Sequence, residues 1–162
     1  MASITALLHT NNDALRLGRC LETLYACDHI LIVDHGSQDD TVRIAREHGA
    51  RVIAAVPNAS PDHYAQSADP GWILALDPCE SLTEGLAASL FDLHEGWKFA
   101  GNITAPAYSM FVREETADGW IEIPAAETRL VPHTWNRWSG RLPLRAPSAL
   151  ALDGELLRFT FP

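Results

Sequence analysis

The run Trp72-Ile73-Leu74-Ala75-Leu76 limits what this chain can fold into more than any other stretch. It is uniformly apolar, shorter than a helix needs, and it ends abruptly in Asp77-Pro78-Cys79-Glu80. Such a run reads as a strand buried on both faces. In an open α/β sheet, a strand that delivers a carboxylate at its C-terminal end helps to build a ligand crevice. The same residues also fit a solvated turn after a core strand, and two earlier stretches shift the balance away from that simpler meaning.

Ile4 to His9 is a short apolar run closed by Thr10-Asn11-Asn12-Asp13, residue types that end strands and begin helices. From Asp13 to Ala26, Leu17, Leu21 and Leu24 recur at helical spacing while Arg16, Arg19 and Glu22 can face water, which predicts an amphipathic helix. His29 to Val33 reads as a second doubly buried strand ending at Asp34, and His35-Gly36-Ser37-Gln38-Asp39-Asp40-Thr41 as a turn rich in capping side chains. Val42 to His48 is then a helix stopped by Gly49, and Arg51 to Val56 a third strand. Strand, helix, strand, helix, strand at this spacing makes two right-handed crossovers, so these strands are expected to be parallel and ordered 3-2-1. A doubly wound sheet places the Trp72 strand beside strand one, giving 3-2-1-4. Thr10-Asn11-Asn12, Asp34 and Asp77 then surround one crevice at the switch point.

Pro57 to Pro70 reads as a loop with at most one helical turn near His63 to Gln66. Thr83 begins a helix with Leu86, Leu90 and Phe91 facing inward, and Gly96 ends it. Beyond Lys98, short runs at 102–107, 110–113, 120–124, 128–131 and 156–161 are separated by Gly, Pro, Asp and Asn, which suggests antiparallel strands and hairpins. The expected fold class is α/β, a Rossmann-like, mostly parallel sheet with an antiparallel C-terminal subregion, in one domain over 1–162.

The chain has 162 residues, 47% of them hydrophobic, enough for one good core. Twelve basic against twenty-one acidic side chains give a net charge of -9. That charge argues against nucleic acid or an anionic membrane as the main partner, and an anionic ligand would need local help. No apolar run approaches the roughly 18 residues of a membrane span. Three cysteines give no framework: Cys20 and Cys27 fall on one predicted helix roughly 10 Å apart along its axis, too far for a disulfide. Unpaired thiols and an N-terminus without a leader pattern lead to a cytoplasmic expectation.

Three segments, ITALLHTNNDALRLGRCLETL, HILIVDHGSQDDTVRIAREHGARVI and WILALDPCESLT, together resemble the family 2 glycosyltransferases of GT-A fold, and within them the branch of lipopolysaccharide-core sugar transfer. That branch reads T-K-N-E after the first strand, V-D-S-G-S-T-D-G-T after the second and L-D-A-D-E at the metal site. AETRLVPHTWNRWSGRLP and LLRFTFP are similar to its later segments. The resemblance implies transfer of a sugar from a nucleoside-diphosphate-sugar donor to an unknown acceptor. It makes 1–97 the nucleotide-binding half and 98–162 a truncated acceptor-side half. Thr10 and Asn12 would line the nucleotide pocket, Asp34 hold the nucleoside, Asp77 begin the DxD motif, and the Ser37 to Asp40 turn shape the rim. By capping preference, Asp39 or Asp40 reads as a helix cap rather than a ligand contact.

The chemistry asks for a divalent cation on the leaving diphosphate and a carboxylate to deprotonate the acceptor. Here the chain departs from the family. Cys79 stands where the second aspartate is expected, and a thiol is a poor ligand for Mn2+ or Mg2+. A metal site would then rest on Asp77 with Glu80. The segment between strands three and four is short. Leu142-Pro143 follows Ser139-Gly140-Arg141 where relatives carry His-Glu, which leaves Glu122 and Glu127 as candidate bases, with Glu114, Glu115 and Asp118 behind them. Each also fits a solvated carboxylate on a hairpin. Trp120, Trp135 and Trp138 fit sugar stacking or packing, and Arg129 and Arg141 fit a diphosphate contact or surface salt bridges. Two functions remain: an active glycosyltransferase, or a catalytically degenerate GT-A relative that binds nucleotide or assembles with protein.

Overall fold

The computed structural model describes residues 2–99 and 105–162. In chain order the elements are β1 Ser3–Thr10, α1 Ala14–Leu21, β2 His29–Asp34, α2 Thr41–Glu47, β3 Arg51–Ala54, α3 Pro61–Gln66, β4 Gly71–Leu76, β5 Glu80–Leu82 and α4 Glu84–Phe99. There follow β6 Tyr108–Thr116, β7 Gly119–Glu122, β8 Glu127–Pro132, β9 Trp138–Ser139, β10 Leu142–Pro143 and β11 Leu150–Arg158. One nine-stranded sheet runs β3-β2-β1-β4-β8-β6-β11-β5, with β7 on β6, and β9 and β10 form a separate hairpin. β3, β2, β1 and β4 are parallel in the expected order. β8 joins antiparallel to both β4 and β6, and β11 then pairs parallel to β6.

Period-two alternation explains why the central strands read as unbroken apolar runs. Ile4, Ala6 and Leu8 of β1 lie in a core with Leu17 and Leu21 of α1 and Leu86 and Leu90 of α4. Leu7, with Leu31, Val33 and Ile73 from its neighbours, packs on the other face with Tyr64 and Ala65 of α3. Both faces are covered, so both sets are apolar. On the covered edge of the sheet, Gly154 at φ +98 lies so close to the Leu86 backbone that a Cβ there would sit 2.3 Å from the Leu86 nitrogen. Only glycine lets β11 approach α4 that closely.

Several boundaries differ from the sequence reading. α1 stops at Leu21 rather than Ala26: the next amides bond three residues back, Thr23 N to Cys20 O and Leu24 N to Leu21 O, and the Thr23 hydroxyl also takes Cys20 O at 2.8 Å. Cys27 is therefore off the helix, and all three cysteines are free. α4 runs through Gly96 to Phe99, and Phe91 is 43% exposed rather than inward-facing. The expected strand at 102–107 lies partly outside the described residues, and 105–107 is not strand. β5 and the β9–β10 hairpin have no counterpart in the sequence reading.

One ionic cluster ties the late strands together. Glu80, at the start of β5, and Arg129, in β8, are both 0% exposed, and they form a two-pronged pair at 2.7 Å for each nitrogen–oxygen contact. Arg129 Nη1 also donates to Ala75 O in β4 at 3.1 Å, and Nη2 to Glu127 at 2.9 Å. From β11, Arg158 reaches Glu80 at 3.2 Å and Glu127 at 3.0 Å. Burial works to lower the Arg129 pKa, and the bonds to Glu80 and Glu127 outweigh it and raise the pKa above the ordinary arginine value. Arg129 is thus neither a diphosphate contact nor a surface ion pair.

A buried charge that loses its partner is strongly destabilising. Arg129→Met is expected to cost about 3–5 kcal/mol, roughly 6–20 °C in Tm. Glu80→Gln added to Arg129→Met should recover a large part of that loss. A melt of Arg129→Met within about 2 °C of the native chain would contradict this role.

Candidate functional site

The parallel strands β1, β2 and β3 end level with one another. Thr10 pairs with Asp34, His35 N bonds Thr10 O at 2.8 Å, and Ala55 N bonds Asp34 O at 2.9 Å. On the other side Leu8 pairs with Leu76, so His9 and Asp77 follow at adjacent places on the C-terminal edge. Two carboxylates, Asp34 and Asp77, therefore flank β1 at the switch point of the sheet.

Asp34 is held rigidly. Its Oδ1 accepts the Thr10 hydroxyl at 2.7 Å and the Ser37 hydroxyl at 2.6 Å, and its Oδ2 accepts Ser37 N at 2.9 Å. Burial works to raise its pKa, and the Ser37 and Thr10 bonds outweigh it, so the carboxyl is held below its ordinary value. The turn is locked from the β1 side: Asn12 N bonds the Ser37 hydroxyl at 2.9 Å, Gln38 N bonds Asn12 Oδ1 at 2.8 Å, and Asn11 Nδ2 bonds His35 O at 2.6 Å. Asn12 sits at φ 54, a left-handed conformation that asparagine tolerates better than most residues. Asp39 accepts Ala14 N at 3.2 Å and Thr41 N at 2.9 Å, the first residues of α1 and α2. It therefore joins the two helix starts and stays out of the crevice.

Beyond the strand ends lies a cavity of about 720 Å³, lined by Asp34, His9, His35, Tyr64, Arg141 and the small residues between Ala54 and Ala59. That volume lies within the range of small-molecule sites. His9, 7% exposed, bonds His35 through Nδ1 and Nε2 at 2.9 Å and packs edge-on against Tyr64 at 5.1 Å. The Tyr64 hydroxyl closes the Val56 backbone, accepting from its N–H at 2.9 Å and donating to its carbonyl at 3.2 Å. Burial, then Arg141, then His35 push the His9 pKa down to about 4, so the ring is neutral at physiological pH. Burial and Arg141 also lower His35.

The sequence-predicted residues fall into separate groups. Asp34 faces the cavity. Thr10 lies buried beneath it as its hydrogen-bond donor, and Asn12 braces the turn, so neither lines the cavity wall. Asp77 is partly buried and lies outside the cavity lining, its pKa raised by burial and by Glu80. Glu80 accepts Asp77 N at 2.8 Å and is otherwise occupied by Arg129 and Arg158. Glu127 is paired with the same arginines, and Glu122 is exposed on β7 opposite Arg113. Trp135 and Trp138 satisfy their indole N–H groups on local carbonyls and pack against the second core. Trp120 meets Phe159 edge-on at 5.1 Å. His9 and His35 were missed; a histidine closing the apolar run of β1 was the signal.

The donor set does not fit the divalent cation implied by the resemblance. Asp77 is one oxygen ligand, and Cys79, whose pKa is raised by burial and by Glu80, offers a neutral thiol. Glu80 is 0% exposed with both oxygens in ion pairs. No group of three or more His, Cys, Asp or Glu side chains suited to a metal occurs among the described residues.

A sheet ordered β3-β2-β1-β4, with carboxylates at its switch point and an antiparallel strand beyond, defines an open, doubly wound type of α/β architecture. Comparison narrows that class. The S. aureus protein TarS superposes with a TM-score of 0.53 at 13% identity, over 81% of this chain and 28% of TarS. No family model matches the sequence. A 90-residue segment, 53% of this chain, is 34% identical to an uncharacterized glycosyltransferase of Rickettsia felis and spans 32% of it. A 68-residue segment, 40% of this chain, is 29% identical to 18% of the 4,4'-diaponeurosporenoate glycosyltransferase of Staphylococcus aureus. These matches thus span a third or less of each curated relative's length. The chain is glycosyltransferase-like in sequence and GT-A in fold. Among the described residues no helix is long and apolar enough to cross a membrane.

His9 makes the site's stability depend on pH. Its folded pKa of about 4 lies below the ordinary 6.5, so the unfolded chain binds the proton first. Its contribution is complete above pH 6.5 and is lost as pH falls toward 4. Allowing for partial solvent access, the loss is about 2 kcal/mol, roughly 4–8 °C in Tm. Melts between those pH values should show it, and His9→Gln should flatten the slope. An identical slope in that variant would place the acid sensitivity elsewhere.

Proposed function

We propose that this chain carries the donor site of a glycosyltransferase that moves a sugar from a nucleoside-diphosphate-sugar to a hydroxyl acceptor. The observation that carries the reading is the 720 Å³ cavity beyond β1, β2 and β3, with the ionised, hydrogen-bonded Asp34 in its wall. A fixed carboxylate is suited to accept hydrogen bonds from a ribose or base, and the small residues from Ala54 to Ala59 leave room for a flat ring. In the transfer, the acceptor oxygen bonds to the anomeric carbon, the bond from that carbon to the diphosphate oxygen breaks, and the acceptor proton leaves to a base. The glycosyltransferase names among the sequence relatives support the same reading.

A second reading, a GT-A relative that binds nucleotide without transferring sugar, is favoured by one specific observation. Glu127, a candidate base, is paired with Arg129 and Arg158. Such pairing lowers the Glu127 pKa against the upward push of burial, and a carboxylate so stabilised is a weak proton acceptor. Both readings share the nucleotide site.

Calorimetric titration of the chain with UDP, GDP, CDP and ADP tests that shared site. At least one should bind with 1:1 stoichiometry, and Asp34→Asn, with an unchanged circular dichroism spectrum, should weaken it by about tenfold or more. Binding of none, or binding indifferent to Asp34→Asn, would overturn the assignment. Release of nucleoside diphosphate from a bound sugar donor in the presence of an acceptor separates the first reading from the second.

A further inference from the structure

We propose that the crevice holds a nucleoside diphosphate without a divalent cation, and that Arg141 supplies the positive charge facing the diphosphate. This rests on the nucleotide-binding reading above and adds to it how the site copes with its ligand's charge.

A diphosphate entering this site needs a cation. The chain as a whole is anionic, at -9, and Asp34 and Asp77 both stand at the sheet edge. The usual answer, a metal clamped by two carboxylates, is closed off by two features of the chain. The second carboxylate position is Cys79, a soft ligand disfavoured by Mg2+ and Mn2+. The neighbouring Glu80 is sealed at 0% exposure, with contacts of 2.7 Å to Arg129 and 3.2 Å to Arg158. Freeing Glu80 for a metal would take one carboxylate partner from each of Arg129 and Arg158, a penalty of the kind incurred when buried ion pairs are broken.

Arg141 fills the resulting gap. Ser139 pairs with Leu142 in the β9–β10 hairpin, so Gly140 and Arg141 are its two-residue turn, with Gly140 at φ +60. Left-handed glycine is what such a turn calls for. The hairpin is anchored at its base, where Pro143 is buried and Leu144 N bonds Arg137 O at 2.8 Å. Its tip, Gly140-Arg141, lies on the wall of the cavity that contains Asp34, His9 and His35. Among the residues of that wall Arg141 is the one lysine or arginine, and it has no salt bridge or side-chain hydrogen bond among the described residues. Its charge acts on His9 and His35 in that wall and also on Asp77. A guanidinium there is always charged and offers a planar fork to phosphate oxygens. His9 and His35 add hydrogen-bonding groups to the same wall.

The test titrates UDP, GDP, CDP and ADP, and the matching nucleosides, into the native chain with excess MnCl2 and separately with EDTA, then repeats this with Arg141→Ala and Arg141→Lys. The proposal expects diphosphate affinity to agree within about twofold between the two conditions. Arg141→Ala should weaken the diphosphate by about 10- to 100-fold and leave the nucleoside unchanged. Arg141→Lys should recover part of the loss as a point charge without the fork. Affinity that rises tenfold or more with Mn2+ and vanishes in EDTA would overturn the proposal while leaving the nucleotide site standing. Equal losses for diphosphate and nucleoside in Arg141→Ala would overturn the assigned role of the side chain. Absence of binding by every nucleotide would remove both this proposal and the reading beneath it.

Discussion

The buried pair between Glu80 and Arg129 is the interaction on which the rest of the structure depends. It joins β5 to β8, and through the Ala75 carbonyl and the Asp77 amide it also grips the end of β4. Arg158 and Glu127 extend it to β11. The consecutive strands β4 and β5 thus meet the distant β8 and β11 at one charge cluster with a fully buried centre, and each must be in register for the charges to be compensated. Such a pair adds little net stability compared with apolar packing, and its effect is to penalise every arrangement that leaves a charge alone. The consequence reaches the site, because the loop from Asp77 to Glu80 is held by the same carboxylate that would otherwise be a metal ligand.

The crevice itself follows from topology. Parallel strands β1, β2 and β3 place their C-terminal residues side by side, and the loops that leave them lead to α1 and α2 on one face and α3 on the other. Asp34 gains its fixed orientation from Thr10, one strand away, and from Ser37, three residues on. The fold thus prepares the carboxylate before any ligand arrives, which is the condition for a hydrogen bond to add affinity rather than order a loose side chain. The histidine pair and the hairpin tip at Arg141 complete a wall whose one lysine or arginine is Arg141. Fold alone does not decide what such a crevice does. The case for a nucleoside diphosphate rests on the chemistry of these side chains together with the glycosyltransferase relatives.

Much of this was legible in the sequence, for physical reasons. Strands buried on both faces leave continuous apolar runs, so β1, β2 and β4 announced themselves, and their spacing with two helices dictated the order β3-β2-β1-β4. Asp34 and Asp77 were visible because each closes such a run. What stayed hidden depended on long-range contacts. β5 is Glu-Ser-Leu, a polar start that only makes sense once Arg129 and Arg158 arrive from residues far along the chain. For the same reason Glu80 read as a spare carboxylate and Arg129 as a surface charge. α1 was overlong in the reading because Leu24 keeps helical spacing although the backbone has already turned. Thr10 and Asn12 were expected to line the nucleotide pocket, whereas Thr10 holds Asp34 and Asn12 braces the turn.

The most direct test of the central claim, that the C-terminal edge of the sheet is a nucleotide site, is a backbone amide NMR titration with UDP and GDP. The account predicts that shifts concentrate at residues 34–38, 54–59 and 140–141, the segments bordering Asp34, the small-residue wall and the Arg141 hairpin tip. A second cavity, of about 430 Å³, lies at the opposite edge of the sheet near His29, His48 and Arg51. Shifts confined to that edge, or no shifts with either nucleotide, would contradict the account.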